Sequence, residues 1–135
     1  MKYKLLYDKA IEVYHNAYTP YSKFKVGAAL QLKNGQIITG ANIENASYGL
    51  TNCAERSALF AAYSQGIRKE DIAGILVTGK TSGPISPCGA CRQVIFELME
   101  PHAFVILSNL EEKEMELKVS DLLPYAFTDG DLNNE

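Results

Sequence analysis

Hydrophobic positions along this chain keep two different rhythms. Leu6, Ala10, Val13 and Ala17 recur at helical spacing in the first segment, and Pro20 stops the pattern. Residues 24–32 (FKVGAALQL) and 36–42 (QIITGAN) are rich in strand formers, and the Asn34-Gly35 pair between them predicts a hairpin. Residues 52–66 (NCAERSALFAAYSQG) favour a helix that closes on Gly66, and its alanines predict close packing against neighbours. The nearly all-apolar run 72–79 (IAGILVTG) suits a central strand covered on both faces. Ser86 and Pro87 have the form of a cap followed by proline at the first helical position. The helix expected there sets Cys91, Val94, Ile95, Leu98 and Met99 on one face. Residues 103–108 (AFVILS) predict another buried strand, and 114–120 (EMELKVS) a weaker, edge strand. The NLEEKE connection is too short for a crossover helix, so these last two strands are expected to be antiparallel.

The resulting order is helix, hairpin, helix, strand, helix, two strands. It predicts an α/β fold in three layers, with helices on both faces of a mixed sheet of about five strands. Residues 128–135 (TDGDLNNE) read as a frayed tail.

Composition narrows the function. The 135 residues, 47% hydrophobic, suffice for one core, so 1–135 reads as a single domain. Thirteen basic residues face 16 acidic ones, for a net charge of -3, and no Lys/Arg cluster forms a stripe. That lacks the electrostatic footprint of a nucleic-acid binder and fits a small substrate better. Charges throughout the first segment exclude a signal-peptide core, and no apolar run is long enough to cross a membrane. A cytoplasmic, reducing setting is therefore expected, where three cysteines suggest metal binding or catalysis, not disulfides.

Cys88 and Cys91, in PCGAC, are spaced as a metal clamp, and Cys53 opens the predicted helix 52–66. Helix starts favour thiolates, the form that binds zinc. Three protein ligands with one open position is the catalytic arrangement of zinc. Arg56, three residues beyond Cys53, can reach back to offset thiolate charge. Glu55 is positioned to move protons between water and a substrate. Competing readings are a redox pair at Cys88 and Cys91, a fourth zinc ligand from His15 or His102, a capping box joining Glu55 to Asn52, and a solvated Arg56. Arg92 either shares the charge balance or faces solvent.

Cys53-Ala54-Glu55 followed by Pro87-Cys88-Gly89-Ala90-Cys91 is the known zinc-deaminase signature. The chain resembles the cytidine deaminases of the small homotetrameric, free-nucleoside type. The likeness runs through YTPYSKFKVGAAL, GANIENASYGLTNCAERSALFAAYSQG, SPCGACRQVIFEL and LLPYAF. It implies one zinc ion per subunit on Cys53, Cys88 and Cys91, Glu55 as the catalytic acid and base, and Arg56 as the charge-balancing cation. It also implies that Asn42 and Glu44 hold the ribose hydroxyls, that Phe24 and Phe127 pack near the base and sugar, and that Tyr48 completes a pocket across a subunit boundary. Backbone N–H groups near Ala54 would orient the base carbonyl. The expected reaction is hydrolytic deamination of cytidine and deoxycytidine, in a homotetramer with shared sites. The rival readings are a related aminopyrimidine nucleoside, such as a nucleoside antibiotic, as substrate, and a zinc-bearing interaction module without catalysis.

Overall fold

The computed structural model describes residues 2–133. Helix α1 (Lys4–Tyr14) leads into strands β1 (Val26–Leu32) and β2 (Ile37–Ala41). After a 3₁₀ turn at Tyr48–Leu50 come α2 (Ala54–Ser64), β3 (Ile72–Gly79), α3 (Gly89–Leu98), β4 (Phe104–Ser108) and β5 (Glu114–Lys118). The five strands form one sheet in the order β2-β1-β3-β4-β5. Only β3 and β4 are parallel; the other neighbours run antiparallel, including the final pair. The mixed sheet of the sequence reading is therefore present, with β5 as an exposed edge.

Strand alternation sorts the core into two layers. Ala28 and Leu30 of β1, Ile75 and Val77 of β3, and Val105 and Leu107 of β4 join the core that includes Ala58, Leu59 and Ala62 of α2 and Ile95 of α3. Ala29, Leu76 and Ile106 point the other way, onto Leu6, Tyr7 and Ala10 of α1. Burial on both faces is why the central strands read as unbroken apolar runs. The parallel pair needs a crossover, and α3 supplies it.

The β1–β2 hairpin forms at Asn34-Gly35, as expected. Gly35, at φ 96°, donates its N–H to the Leu32 carbonyl at 3.0 Å, and the Leu32 N–H reaches the Gln36 carbonyl at 2.9 Å. Glycine's freedom at positive φ is what this loop uses. Two other local expectations need correction. The α3 helix begins at Gly89, and its cap is Cys88, not Ser86. Cys88 Sγ accepts the Cys91 N–H at 3.4 Å, which satisfies one free donor of the first turn. In the expected frayed tail, a short helix α4 spans Asp129–Asn133, started by Thr128 N–H donating to Asp131 Oδ2 at 2.7 Å. The rest of that tail, 134–135, lies outside the described residues.

The alanines of α2 have a physical counterpart across the interface. A Cβ placed on Gly40 would lie 2.3 Å from the Ala58 nitrogen and 2.8 Å from the Ala54 oxygen. Helix backbone thus rests directly on β2, and this contact sets the position of the first turn of α2. Gly40→Ala should lower stability by about 1–3 kcal/mol through overpacking against backbone that cannot yield. Gly49→Ala, where open space surrounds the added methyl, should change it little. Urea denaturation midpoints of the two variants test this, and equal midpoints would contradict it.

Candidate active site

Two helix starts converge at the site. Cys53 is the extended cap residue of α2, and Cys88 is that of α3, beyond the carboxyl end of β3. Cys91, in the first turn of α3, is fully buried beneath them. The three sulfurs lie within 4.8 Å of one another, and Cys53 Sγ is 3.8 Å from Cys88 Sγ. Tetrahedral zinc with bonds of about 2.3 Å holds its sulfur ligands about 3.8 Å apart, so the donor set fits that ion in both chemistry and spacing. His15 and His102 are exposed and stand outside the cluster. Three thiols with no fourth side-chain ligand among the described residues match the open, catalytic zinc arrangement and not a closed structural one.

Arg56 Nη2 donates to Cys53 Sγ at 3.2 Å, so this arginine is not simply a solvated one. With protein groups alone, the Cys53 thiol is lowered to about 5, first by its hydrogen bond with Cys91 and then by Arg56. The Cys91 thiol is pushed up, by sharing that bond with Cys53 and by burial. The thiolate in turn raises the Arg56 pKa above its usual value, chiefly through the hydrogen bond at Cys53.

Glu55 occupies the first turn of α2 with only 4% of its surface exposed. Burial raises its pKa to about 7. The capping-box reading of this residue fails, because Cys53 and not Asn52 caps the helix. Asn52 instead donates through Nδ2 to Ser57 Oγ at 3.2 Å.

A cleft of about 490 Å³ opens over Cys53, Glu55 and Cys88. Phe24, Asn42, Glu44, Tyr48 and Ala54 all line it, so the structure gathers five of the six expected substrate contacts around the cysteines. Asn42 is partly committed: Oδ1 accepts the Val26 N–H at 2.9 Å, and Nδ2 donates to the Phe24 carbonyl at 2.8 Å. Glu44 Oε1 accepts the N–H groups of Tyr21 at 3.0 Å and Ser22 at 3.1 Å, and its Oε2 accepts the Ser22 hydroxyl. These bonds, led by the Ser22 hydroxyl, hold the carboxyl below its ordinary range. Phe127 is the exception. It is 57% exposed and absent from the cleft lining, and its carbonyl accepts from Gln93 Nε2 at 2.9 Å.

Two parts of the site escaped the sequence reading. Ser22 orients Glu44 and also accepts the Phe24 N–H at 3.0 Å, a contact across 22 residues that no local pattern announces. The loop after β3 lines the cleft through Thr81, Pro84, Ile85 and Ser86. Its Gly and Pro marked a loop, and nothing in its composition marked a wall. The Arg92 side chain binds none of the three sulfurs; its hydrogen bonds go to Ser86, Pro87 and Leu122.

Comparison with known proteins agrees with this geometry. Residues 1–107 match the family model described as the cytidine and deoxycytidylate deaminase zinc-binding region. A cytidine deaminase of Halalkalibacterium halodurans is 54% identical over 134 residues, covering 99% of this chain and 100% of that protein. One from Mycobacterium tuberculosis is 38% identical over 133 residues, covering 98% and 95%. The crystal structure of cytidine deaminase from Burkholderia pseudomallei superposes with a TM-score of 0.91 at 50% identity, covering 94% of this chain and 100% of that one. With three cysteines gathered at one point beneath a cleft, and with these matches over nearly its whole length, the chain belongs to the zinc-binding cytidine deaminase family.

Proposed function

We propose that the chain hydrolyses the exocyclic amine of cytidine and deoxycytidine, releasing ammonia and leaving uridine or deoxyuridine. The observation that carries this reading is a protonatable, buried Glu55 lining a small-molecule cleft together with Cys53 and Cys88, two of three clustered, metal-competent sulfurs. Cys53, Cys88 and Cys91 hold the zinc, which when bound supplies Lewis-acid activation of water. A carboxyl with a pKa of about 7 is divided between its two forms at neutral pH, so it can accept a proton and then return it. Glu55 accepts a proton from the attacking water and delivers it to N3 of the ring. That draws electrons from C4, where the water oxygen adds. Glu55 then carries the remaining water proton to the amino group. The C4–N bond breaks, ammonia leaves, and a C4 carbonyl remains. The Ala54 N–H, free in the first turn of α2, orients the base carbonyl.

At the other end of the cleft, Glu44 and Asn42 take the sugar hydroxyls. Both keep hydrogen-bonding capacity beyond the bonds they already make. Phe24 packs against the ring. Tyr48, 70% exposed at the cleft rim, and Phe127, away from its own cleft, support a homotetramer in which neighbouring copies complete each other's sites. Among the described residues no helix is long and apolar enough to cross a membrane. That and the mild net charge are consistent with a cytoplasmic enzyme.

Glu55→Gln should retain zinc while losing about 10³–10⁴-fold in turnover, since one group serves as both base and acid. Zinc content and ammonia release measure the two effects separately; normal turnover would exclude the proposed role. Glu44→Gln should raise KM for cytidine about 10–100-fold, as expected for a lost charged hydrogen bond, with a smaller change in kcat. A variant with unchanged KM would remove Glu44 from the sugar site.

The raised pKa of Glu55 also has a sign in stability. The folded chain holds this proton up to about 7, and the unfolded chain releases it near 4.5. Between those values the folded state binds more protons, so its stability falls as pH rises. In zinc-stripped protein, Glu55→Gln should therefore stabilise the fold by up to about 3 kcal/mol above neutral pH. The gain should shrink as pH falls toward about 5. Urea midpoints across that range check it, and a pH-independent difference would refute the burial argument.

A further inference from the structure

We propose that Arg92 is a positioning residue for the zinc ligand Cys88, and that it does this by tying the ligand's loop to the buried end of the chain's last core segment. The inference rests on the reading of the three cysteines as a zinc site. Cys88 is the most exposed of the three, and it ends an irregular segment running from β3 to α3. On its C-terminal side α3 fixes it, with the Arg92 N–H donating to the Cys88 carbonyl at 2.9 Å. On its N-terminal side the sheet holds the chain only as far as Ile85, whose N–H donates to the Ser108 carbonyl at 3.0 Å.

The Arg92 guanidinium supplies what is missing. Nε donates to the Pro87 carbonyl at 2.9 Å, Nη2 to Ser86 Oγ at 2.5 Å, and Nη1 to the Leu122 carbonyl at 2.8 Å. The first bond holds the peptide plane that joins Pro87 to Cys88, and so the direction in which the Cys88 side chain leaves the backbone. A second bond holds the residue before that, which lines the cleft. The third anchors the fork to Leu122, which is 2% exposed and belongs to the core packed around α2 and α3. A planar guanidinium with donors in fixed directions can make these three bonds at once; a lysine ammonium cannot reproduce the geometry. Among the described residues Arg92 forms no ion pair, so its bonds are spent on backbone and hydroxyl positions and not on a surface carboxylate. Orienting partners of this kind tune metal affinity without touching the metal.

The test compares Arg92→Met and Arg92→Lys with Arg68→Met in the full chain. Arg68 also bonds backbone, through Nη1 to the carbonyls of Tyr63 at 3.0 Å and Ile67 at 2.9 Å, beyond the far end of α2. Competition with a chromophoric chelator gives the zinc Kd, and the absorption of the cobalt-loaded protein reports on thiolate ligation. Arg92→Met should weaken zinc about 10–100-fold, and Arg92→Lys by less. The thiolate-to-cobalt band of Arg92→Met should lose up to about a third of its intensity as one of three sulfurs loosens. Arg68→Met should keep its Kd within about twofold, whatever it does to the melting temperature. An unchanged Kd in Arg92→Met, or an equal loss in Arg68→Met, overturns the proposal. If Arg92→Met does not fold, Arg92→Lys and Ser86→Ala decide by the same measurement: weaker zinc supports the proposal and wild-type affinity overturns it. A wild-type chain that takes up no zinc would instead overturn the zinc site, and this inference with it.

Discussion

The constraint on which everything else depends is the meeting of three sulfurs at one point. Cys53 and Cys88 are separated by 35 residues, yet their sulfurs stand 3.8 Å apart. No local preference brings them there. The meeting requires α2 to sit at one height on the sheet and α3 to begin at one place beyond β3. Contact between Gly40 and the backbone of α2 fixes the first, because helix and strand touch without an intervening side chain. The parallel pairing of β3 with β4 fixes the second, since α3 must cross between them. Two helix N-termini then point at the same spot, and their unsatisfied N–H groups favour the thiolates that a metal requires.

Once the sulfurs are placed, the cleft divides its two carboxylates by environment. Glu55 is surrounded by protein and is lifted toward neutrality. Glu44 is scarcely more exposed, yet it is held below its ordinary range by the Ser22 hydroxyl and two backbone N–H groups. Burial alone therefore does not decide the outcome; hydrogen bonds to the charged form do. One group is suited to exchanging protons, the other to a fixed negative charge. Pairs of acids pushed in opposite directions are a sign of divided chemical labour.

Much of this was legible in the chain itself, for identifiable reasons. The strands announced themselves because both faces of the sheet are covered, so 72–79 and 103–108 are apolar without interruption. Cys53, Glu55, Cys88 and Cys91 were visible because metal and proton chemistry permits few substitutes at fixed spacings. The start of α3 was misread for a physical reason: Ser86-Pro87 carries a common cap signal, but the Ser86 hydroxyl and Pro87 carbonyl are taken by Arg92, and the Cys88 sulfur caps the helix in their place. Ser22, Arg92 and the wall formed by Thr81–Ser86 act through contacts 22 or more residues apart or through loop shape, neither of which periodicity encodes. Phe127, expected near the base and sugar, is outside the lining of its own chain's cleft, and its carbonyl accepts from Gln93 of α3.

The charge at the Glu44 end of the cleft, proposed above to take the sugar, bears on which substrates the site accepts. The matching family model covers both nucleoside and nucleotide deaminases, so family membership does not choose between them. Among the described residues no lysine or arginine lines the cleft, and Glu44 remains ionised across the neutral range because its pKa is lowered, not raised. A phosphate carried on the sugar would bring about two negative charges toward that carboxylate, and no cation among the lining residues would receive them; Lys23, whose charge acts on Glu44, lies outside that lining. Water is partly excluded there, so the repulsion would be weakly screened. Hydroxyl groups meet no such penalty and can donate to the same oxygens. On the proposed reading, the arrangement that would favour a free sugar would thus also reject its phosphorylated form, with a single buried carboxylate doing both.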